Sequence, residues 1–326
     1  MNYRTFFFCT ILSGLALLTG CDDKKPKVQE TSAQQKAEDI EQQEILKYNA
    51  YVDTANYQPY NKNFSDEVNR HEEYIADYIN KNKKITSYST VDKTTIAGKK
   101  ERIEKALAIK ASISDLDASA EKYLNALNAL IPINDELSLY ADTKEYLSDD
   151  GKLFREKEPQ LLALLKATAT AEDDFDNKIT EHDTVLIKKQ FESQDKDTFM
   201  YYRNGIIYYE KVIVHEIAGL IEKNDTLALA KLNEDADTLN TLFKGYLKTK
   251  QANNSTCEYD IKSFISTTRD MSQKMKNSWD EYTKVDPHIR ATYGHMNLPA
   301  STAESHYENL LRHFSSLIGN MNADRC

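Results

Sequence analysis

The chain has 326 residues and a formal net charge of −10. A nucleic-acid-binding surface needs clustered basic residues, so this acidic balance argues against nucleic acid as a partner. Glycine and proline number only 9 and 6, whereas a β-sandwich or barrel of this length needs many turns rich in both. The composition therefore predicts an all-α protein, because the abundant alanine, leucine, lysine and glutamate favour long helices.

The first twenty residues have the organisation of a secretory signal. Arg4 supplies a positive charge, and residues 6–18 form an apolar run. This run is shorter than the roughly 20 residues needed to cross a bilayer comfortably, so a plain transmembrane anchor is the weaker interpretation. We expect a signal peptide over residues 1–20, cleaved directly before Cys21.

The sequence LTGC, which ends at Cys21, resembles a bacterial lipobox. The resemblance implies that Cys21 receives a diacylglyceryl group and that the new N-terminus is acylated. Several acyl chains on one residue form a stable anchor; an ordinary cleaved signal with an incidental cysteine is the alternative. Asp22 resembles the signal that retains lipoproteins in the inner membrane of enteric-type bacteria, which implies the periplasmic face of that membrane.

The cysteine positions predict one disulfide. Cys9 lies in the signal and Cys21 in the lipobox, which leaves Cys257 and Cys326 of the four cysteines. Export places both thiols in an oxidising compartment, so we expect them to pair. Two free thiols or an intermolecular bridge are the alternatives.

Residues 21–35 are polar and predict a flexible tether between the lipid and the folded chain. Apolar residues at helical spacing start after them and continue through most of the chain. Pro59 is expected to kink or divide the first long element. Residues 82–99 are polar, rich in β-branched side chains and lack a helical stripe, so they are the first expected loop.

Further along the chain, Pro132 falls inside an apolar stripe and predicts a bend. The sequence at 149–151, Asp-Asp-Gly, predicts a break between helices. No internal repeat and no obvious linker divides the remainder. We therefore expect a single helical domain over residues 36–326, built as an elongated bundle of about seven to nine long, partly kinked antiparallel helices.

A family resemblance lies in the stretches at 47–57 (KYNAYVDTANY), 71–79 (HEEYIADYI) and 117–162. They resemble bacterial lipoproteins typified by YiiG, a family of unknown function, over roughly residues 40 to 250. The family's tyrosine and acid pattern is met by Tyr140, Lys144, Tyr146, Asp149 and Asp150. The family has a histidine before a proline where this chain has Glu158, so no histidine-based site is implied. The resemblance implies a helical envelope lipoprotein and carries no catalytic residue.

The sequence contains no GxGxxG, phosphate loop, HExxH, CxxC or GxSxG motif, so we assign no catalytic residue and no cofactor. Histidines are the remaining candidates for a metal site. His71 and His182 fall on apolar stripes, Glu67 precedes His71 by one turn, and His306 and His313 share a helix face. Without an ExxH pair at bundle spacing, hydrogen-bonded or exposed histidines are the stronger interpretation, and we assign no metal ligand.

Two functional hypotheses follow. The first is a non-enzymatic protein that is attached to the membrane by its lipid and binds an envelope protein or another partner. The second is a periplasmic protein that binds a metal ion or small molecule between its helices. The 20 tyrosines, including the group Tyr201, Tyr202, Tyr208 and Tyr209, suit either core packing or a partner surface.

Overall fold

The computed structural model describes residues 32–326 except 60–62, 223, 250–254, 287–288, 290–298 and 324. These residues contain nine α-helices and no strand, which confirms the all-α prediction. The helices are α1 Ser32–Asn56, α2 Phe64–Tyr74, α3 Lys93–Leu107, α4 Ser114–Asp142, α5 Lys152–Glu192, α6 Phe199–Glu222, α7 Thr226–Tyr246, α8 Ser255–Tyr282 and α9 Thr302–Asn322. A π-helical segment, Ile75–Asn80, continues α2, and the 3₁₀ turn Glu145–Leu147 follows α4.

The N-terminal boundary differs slightly from the sequence prediction. The helix α1 begins at Ser32, so residues 32–35 are helical rather than part of the tether predicted for 21–35. Those residues and the ones that follow contain neither glycine nor proline and include good helix formers. The predicted signal peptide, Cys21 and Asp22 lie outside the described residues. Among the helices that are described, none combines the length and the apolar character needed to cross a membrane.

The helices form two compact units whose boundary lies within α5. The N-terminal unit contains α1 to α4 and the part of α5 that ends at Thr180. The C-terminal unit contains the rest of α5 from Glu181 and the helices α6 to α9. The single domain expected over residues 36–326 stays a prediction, since one continuous helix belongs to both units.

A buried ion pair ties α1 to the start of α4 in the N-terminal unit. The ammonium group of Lys47 lies 2.8 Å from Asp117 and donates to the carbonyl of Ala111 at 2.7 Å. The hydroxyl of Tyr51 donates to the same carboxylate at 2.6 Å, and the backbone N–H of Ile113 does so at 3.2 Å. Asp117 thus binds both its own helix end and α1, against which α3 also packs.

The segment at residues 81–92, here named the strap, connects the π-helical segment to α3. Asp92 caps α3 by accepting the backbone N–H of Thr95 at 2.9 Å. The predicted loop at 82–99 is therefore wrong at its C-terminal end, where the helix already begins at Lys93. The β-branched threonines suggested extended chain, but an aspartate cap outweighs their weak local preference.

The prolines differ in their effects. Pro59 lies between α1 and α2, which confirms that this stretch is divided. Pro132 lies inside α4, which continues past it without ending. The bend expected at Pro132 stays a prediction. A kink occurs in α8, where Ser278 leaves the helical region with φ −154° and ψ 53°.

The tyrosine and acid pattern after α4 forms the turn into α5. The hydroxyl of Tyr140 donates to Asp149 at 2.7 Å, and this carboxylate also accepts the backbone N–H of Gly151 at 2.8 Å and of Leu153 at 3.0 Å. Gly151 has a φ of 73°, in the left-handed region that glycine adopts without steric cost. These contacts confirm the predicted break and give its aspartate a structural role.

The C-terminal unit is held together by α6 packing on α7 and α9, and by α8 packing on the same two helices. The Sγ atoms of Cys257 and Cys326 lie 2.03 Å apart, so the predicted pair is at disulfide-bonding distance. The hydroxyl of Tyr246 also donates to the carbonyl of Cys326 at 2.9 Å. These contacts attach the chain after α9 to the first turn of α8 and to the end of α7.

We predict that replacing Cys326 by serine lowers the free energy of unfolding by about 4 kcal/mol, because the unfolded chain gains the freedom of a long open loop. Urea unfolding with and without reductant measures this. In reductant, the free energy of unfolding of the wild-type protein should fall to that of the variant. Reductant should leave the free energy of unfolding of the variant unchanged. A wild-type protein whose stability and intact mass are both insensitive to reductant contradicts the disulfide.

Candidate ligand-binding site

The helix α5 carries two buried carboxylates on one face. Glu158 is 0% exposed and Glu172 is 3% exposed. They are fourteen residues apart, which is close to four turns of ~3.6 residues and about 21 Å along a helix axis. Because a buried charge is costly unless it is paired and hydrogen-bonded, each carboxylate needs partners from the surrounding elements.

The first carboxylate forms the Glu158 cluster, which consists of Glu158, His71 and Tyr88. One carboxylate oxygen of Glu158 contacts Nδ1 of His71, and the other accepts the hydroxyl of Tyr88 at 2.5 Å. Burial raises the pKa of the Tyr88 phenol far above its ordinary value, and the charge of Glu158 adds to the shift. Tyr88 therefore stays a hydrogen-bond donor at any physiological pH.

His71 retains one free ring atom in this cluster. Its side chain is fully buried, and Nε2 has no hydrogen-bond partner among the described residues. The rings of Tyr74 and Tyr88 stand edge-on to the imidazole at centroid distances of 5.4 and 6.3 Å. The π-helical segment begins one residue after Tyr74, and such segments occur frequently at functional sites.

The second carboxylate forms the Glu172 cluster. Oε1 of Glu172 lies 2.8 Å from the ammonium group of Lys99 and accepts the hydroxyl of Tyr123 at 3.0 Å. Its Oε2 accepts the backbone N–H of Phe64 at 3.0 Å, which is the first residue of α2. The carboxylate therefore sits at the positive end of a helix, where an anion is favoured, and three elements converge on one side chain of α5.

A cleft of about 130 Å³ lies beside the Glu172 cluster, between the first turns of α2 and α3 and the end of the strap. Two acids and two bases are among its lining side chains, together with apolar groups. The residues that matter for its chemistry are Phe64, Glu67, Arg70, Val91, Asp92 and Lys99.

The strap forms one wall of the cleft and is held by side chains from two helices. Arg70 donates to the carbonyl of Thr90 at 2.9 Å. The amide of Asn134 accepts the backbone N–H of Val91 at 3.1 Å and donates to its carbonyl at 3.0 Å. Together with the bond from Tyr88 to Glu158, these contacts fix a segment that has no regular secondary structure.

The predicted histidine and acid candidates are not brought together as metal ligands. Glu67 and His71 do share α2, but Glu67 pairs with Arg70 while His71 binds Glu158. Among the described residues, no three histidine, cysteine, aspartate or glutamate side chains are arranged to hold a metal ion. His182 and the C-terminal histidines lie elsewhere in the chain.

In the C-terminal unit, His306 and His313 belong to hydrogen-bonded packing. His306 bonds Tyr282 at 3.0 Å. His313 contacts Asp260 at 3.1 Å, and Ser316 donates to the same carboxylate at 2.6 Å. Both histidines therefore match the interpretation of hydrogen-bonded residues that the sequence analysis gave beside a metal site.

Sequence reasoning missed the central residues of the site. Glu158 was noted only as a departure from a family pattern, and Glu172, Lys99 and Arg70 were not singled out. A usable signal exists, because Glu158 and Glu172 fall on the apolar stripe of α5. An acid on a buried stripe implies a buried partner, and this criterion selects both residues.

The fold and the site together define an all-α protein with buried carboxylate clusters and a small, charged cleft. The chain belongs to the protein family of unknown function DUF3829, whose family model matches residues 42–323. This match covers both compact units. No curated protein and no solved structure matches the chain.

We predict that Tyr88→Phe lowers the free energy of unfolding by roughly 1–3 kcal/mol, because it leaves a buried oxygen of Glu158 without its donor. Tyr74→Phe is the matched control. Its ring belongs to the same aromatic group, but its hydroxyl meets Ser89 at 3.2 Å in an exposed setting, so the loss should stay within about 0.5 kcal/mol. If urea unfolding shows that Tyr88→Phe and Tyr74→Phe lose the same free energy of unfolding, the role of the Glu158 cluster is contradicted.

A second prediction concerns Glu210, which is fully buried on α6 with no hydrogen-bond partner for either oxygen among the described residues. Burial raises its pKa well above the ordinary value of 4.5, and nearby Asp260 adds to the shift. The folded chain therefore keeps a proton that the unfolded chain loses above about pH 4.5. This contribution to stability is complete below that pH and declines as the pH rises towards the pKa of the folded state.

Glu210→Gln removes this titration. In urea unfolding from pH 5 to pH 8, the stability of the variant relative to the wild type should rise with pH, with a limiting slope of about 1.4 kcal/mol per pH unit. Glu234→Gln, at an exposed position on α7, should run parallel to the wild type. A Glu210→Gln profile that also runs parallel shows that Glu210 is ionised in the folded chain.

Proposed function

We propose that this protein is a lipid-anchored binding protein of the bacterial cell envelope, non-enzymatic, which takes a small-molecule ligand into the cleft between α2, α3 and the strap. The observation that carries the binding role is the cleft itself. Its walls contain Lys99, a lysine that is 2% exposed, and Arg70, whose Nε is enclosed without an acceptor among the described residues. A cleft lined by largely buried cationic side chains suits a ligand with acceptor atoms.

Rigidity of the surroundings supports the same proposal. The strap is fixed at Tyr88, Thr90 and Val91 by side chains of other elements. A preformed site loses less conformational entropy when a ligand binds. This favours binding of a small molecule in a prepared cleft over the capture of an envelope protein by a flexible surface.

The envelope location rests on the sequence. The LTGC sequence before Asp22 supports lipidation of Cys21, and Asp22 supports retention at the periplasmic face of the inner membrane if enteric-type sorting applies. The membrane is then a partner through the acyl chains alone, since the acidic chain offers no attraction to anionic lipid. Removal of residues 1–20 and oxidation of the Cys257–Cys326 pair fit the same exported location.

We predict that Cys21→Ser abolishes incorporation of labelled palmitate and releases the protein from the membrane fraction, because no other anchor is proposed. Cys9→Ser is the matched control, since Cys9 lies in the segment that is removed, and it should retain both label and membrane attachment. Labelling of growing cells followed by density-gradient separation of the two membranes measures this. A labelled or membrane-bound Cys21→Ser protein contradicts the anchor, and wild-type protein in the outer-membrane fraction contradicts the role of Asp22.

A further inference from the structure

A buried cation and an exposed acid both line the cleft. Lys99 lines it at 2% exposure, whereas Asp92 lines it while belonging to the exposed surface. Lys99, which is paired with Glu172, therefore lies at the deep end of the cleft, and Asp92 lies at its open end. A ligand that carries opposite charges at its own two ends fits this order.

The two cations of the lining offer further hydrogen-bond donors. An ammonium group has three N–H donors, and the ion pair of Lys99 engages one oxygen of Glu172. Arg70 uses its terminal nitrogen for Thr90 and Glu67, and its Nε has no acceptor among the described residues. Buried donors of this kind are satisfied by acceptor oxygens, and charge-assisted bonds to a carboxylate are the strongest of these.

The mouth offers acceptors. One oxygen of Asp92 receives the backbone N–H and hydroxyl of Thr95 and the hydroxyl of Thr94. An ionised carboxylate has about four acceptor sites on its two oxygens, so Asp92 can accept further hydrogen bonds. Hydrogen bonds from Thr94, opposed by partial burial, lower the pKa of Asp92, so its carboxylate is ionised at neutral pH. Glu67, which is 8% exposed and paired with Arg70, is a second acid of the lining and is more buried than Asp92.

The charges of the lining balance, because two acids face two bases. The cleft of about 130 Å³ is close in size to an engineered cavity of ~150 Å³ that holds benzene. Pro59, Phe64 and Val91 supply apolar wall between the polar ends. The lining thus suits a small molecule with no net charge and a short apolar part.

We propose that the cleft binds a small zwitterion of the α-amino-acid class. Its carboxylate lies against the N–H donors of Lys99 and Arg70, and its ammonium group lies against the carboxylate of Asp92 at the mouth. This assignment rests on the proposed function, since it names the ligand class of the same cleft.

The test is calorimetric titration of the mature full-length protein in detergent with L-alanine, sodium propionate and ethylamine. L-Alanine should bind with one site per chain. Propionate and ethylamine, which each lack one charge, should bind at least about tenfold more weakly, since the loss of one charged hydrogen bond accounts for that factor. Propionate binding as tightly as L-alanine, or no L-alanine binding, overturns the zwitterion.

A variant locates the ammonium contact. Asp92→Asn keeps a good helix cap and removes the charge at the mouth, so L-alanine affinity should fall at least about tenfold. Asp115→Asn, an exposed acid in the first turn of α4, is the matched control and should bind as the wild type does. Equal affinity of Asp92→Asn and wild type overturns the assignment.

Mass spectrometry of compounds that co-purify with the protein separates the two proposals. A retained compound without an amine, lost in a variant of the cleft such as Arg70→Gln, overturns the zwitterion and keeps the cleft as a binding site. L-Alanine binding that Arg70→Gln and Asp92→Asn both leave unchanged overturns the cleft as the site and the proposed function with it.

Discussion

The N-terminal unit depends on the burial of two carboxylates along one face of α5. Each buried charge requires donors, and the donors of Glu158 and Glu172 come from α2, the strap, α3 and α4. The same two side chains therefore hold the first residue of α2 and the strap against α5. A hydrophobic contact is not directional, whereas a hydrogen bond fixes distance and angle, so these clusters specify one arrangement of the helices.

One buried acid of the C-terminal unit is not paired in this way. Glu210 has no donor for either oxygen among the described residues, and burial raises its pKa well above the ordinary value, which favours the neutral carboxyl. Glu158 and Glu172 instead hold their partners within hydrogen-bonding distance. Asp260 of the C-terminal unit is buried as well, but it is paired with His313 and Ser316, so the difference lies between individual acids rather than between the units.

The helices were predictable from the sequence because apolar periodicity and scarce glycine and proline are local signals. The break at Asp149–Gly151 and the division near Pro59 were predictable for the same reason. The boundary between the strap and α3 was not predictable, because helix capping by Asp92 outweighed the weak preference of the neighbouring threonines for extended chain. The site was the least predictable part, because the pairing of Lys99 with Glu172 joins residues far apart in the chain, and one sequence contains no record of such a pairing.

The cleft and the Glu172 cluster share Phe64 and Lys99, which links the chemistry of the site to the fold. The backbone of Phe64 and the ammonium group of Lys99 both hold Glu172, while both residues also line the cleft. A bound carboxylate would share the cation with Glu172 without displacing it, since an ammonium group can donate to both. The fold thus supplies a buried positive charge that Glu172 neutralises, and this pairing stabilises the wall of the cleft.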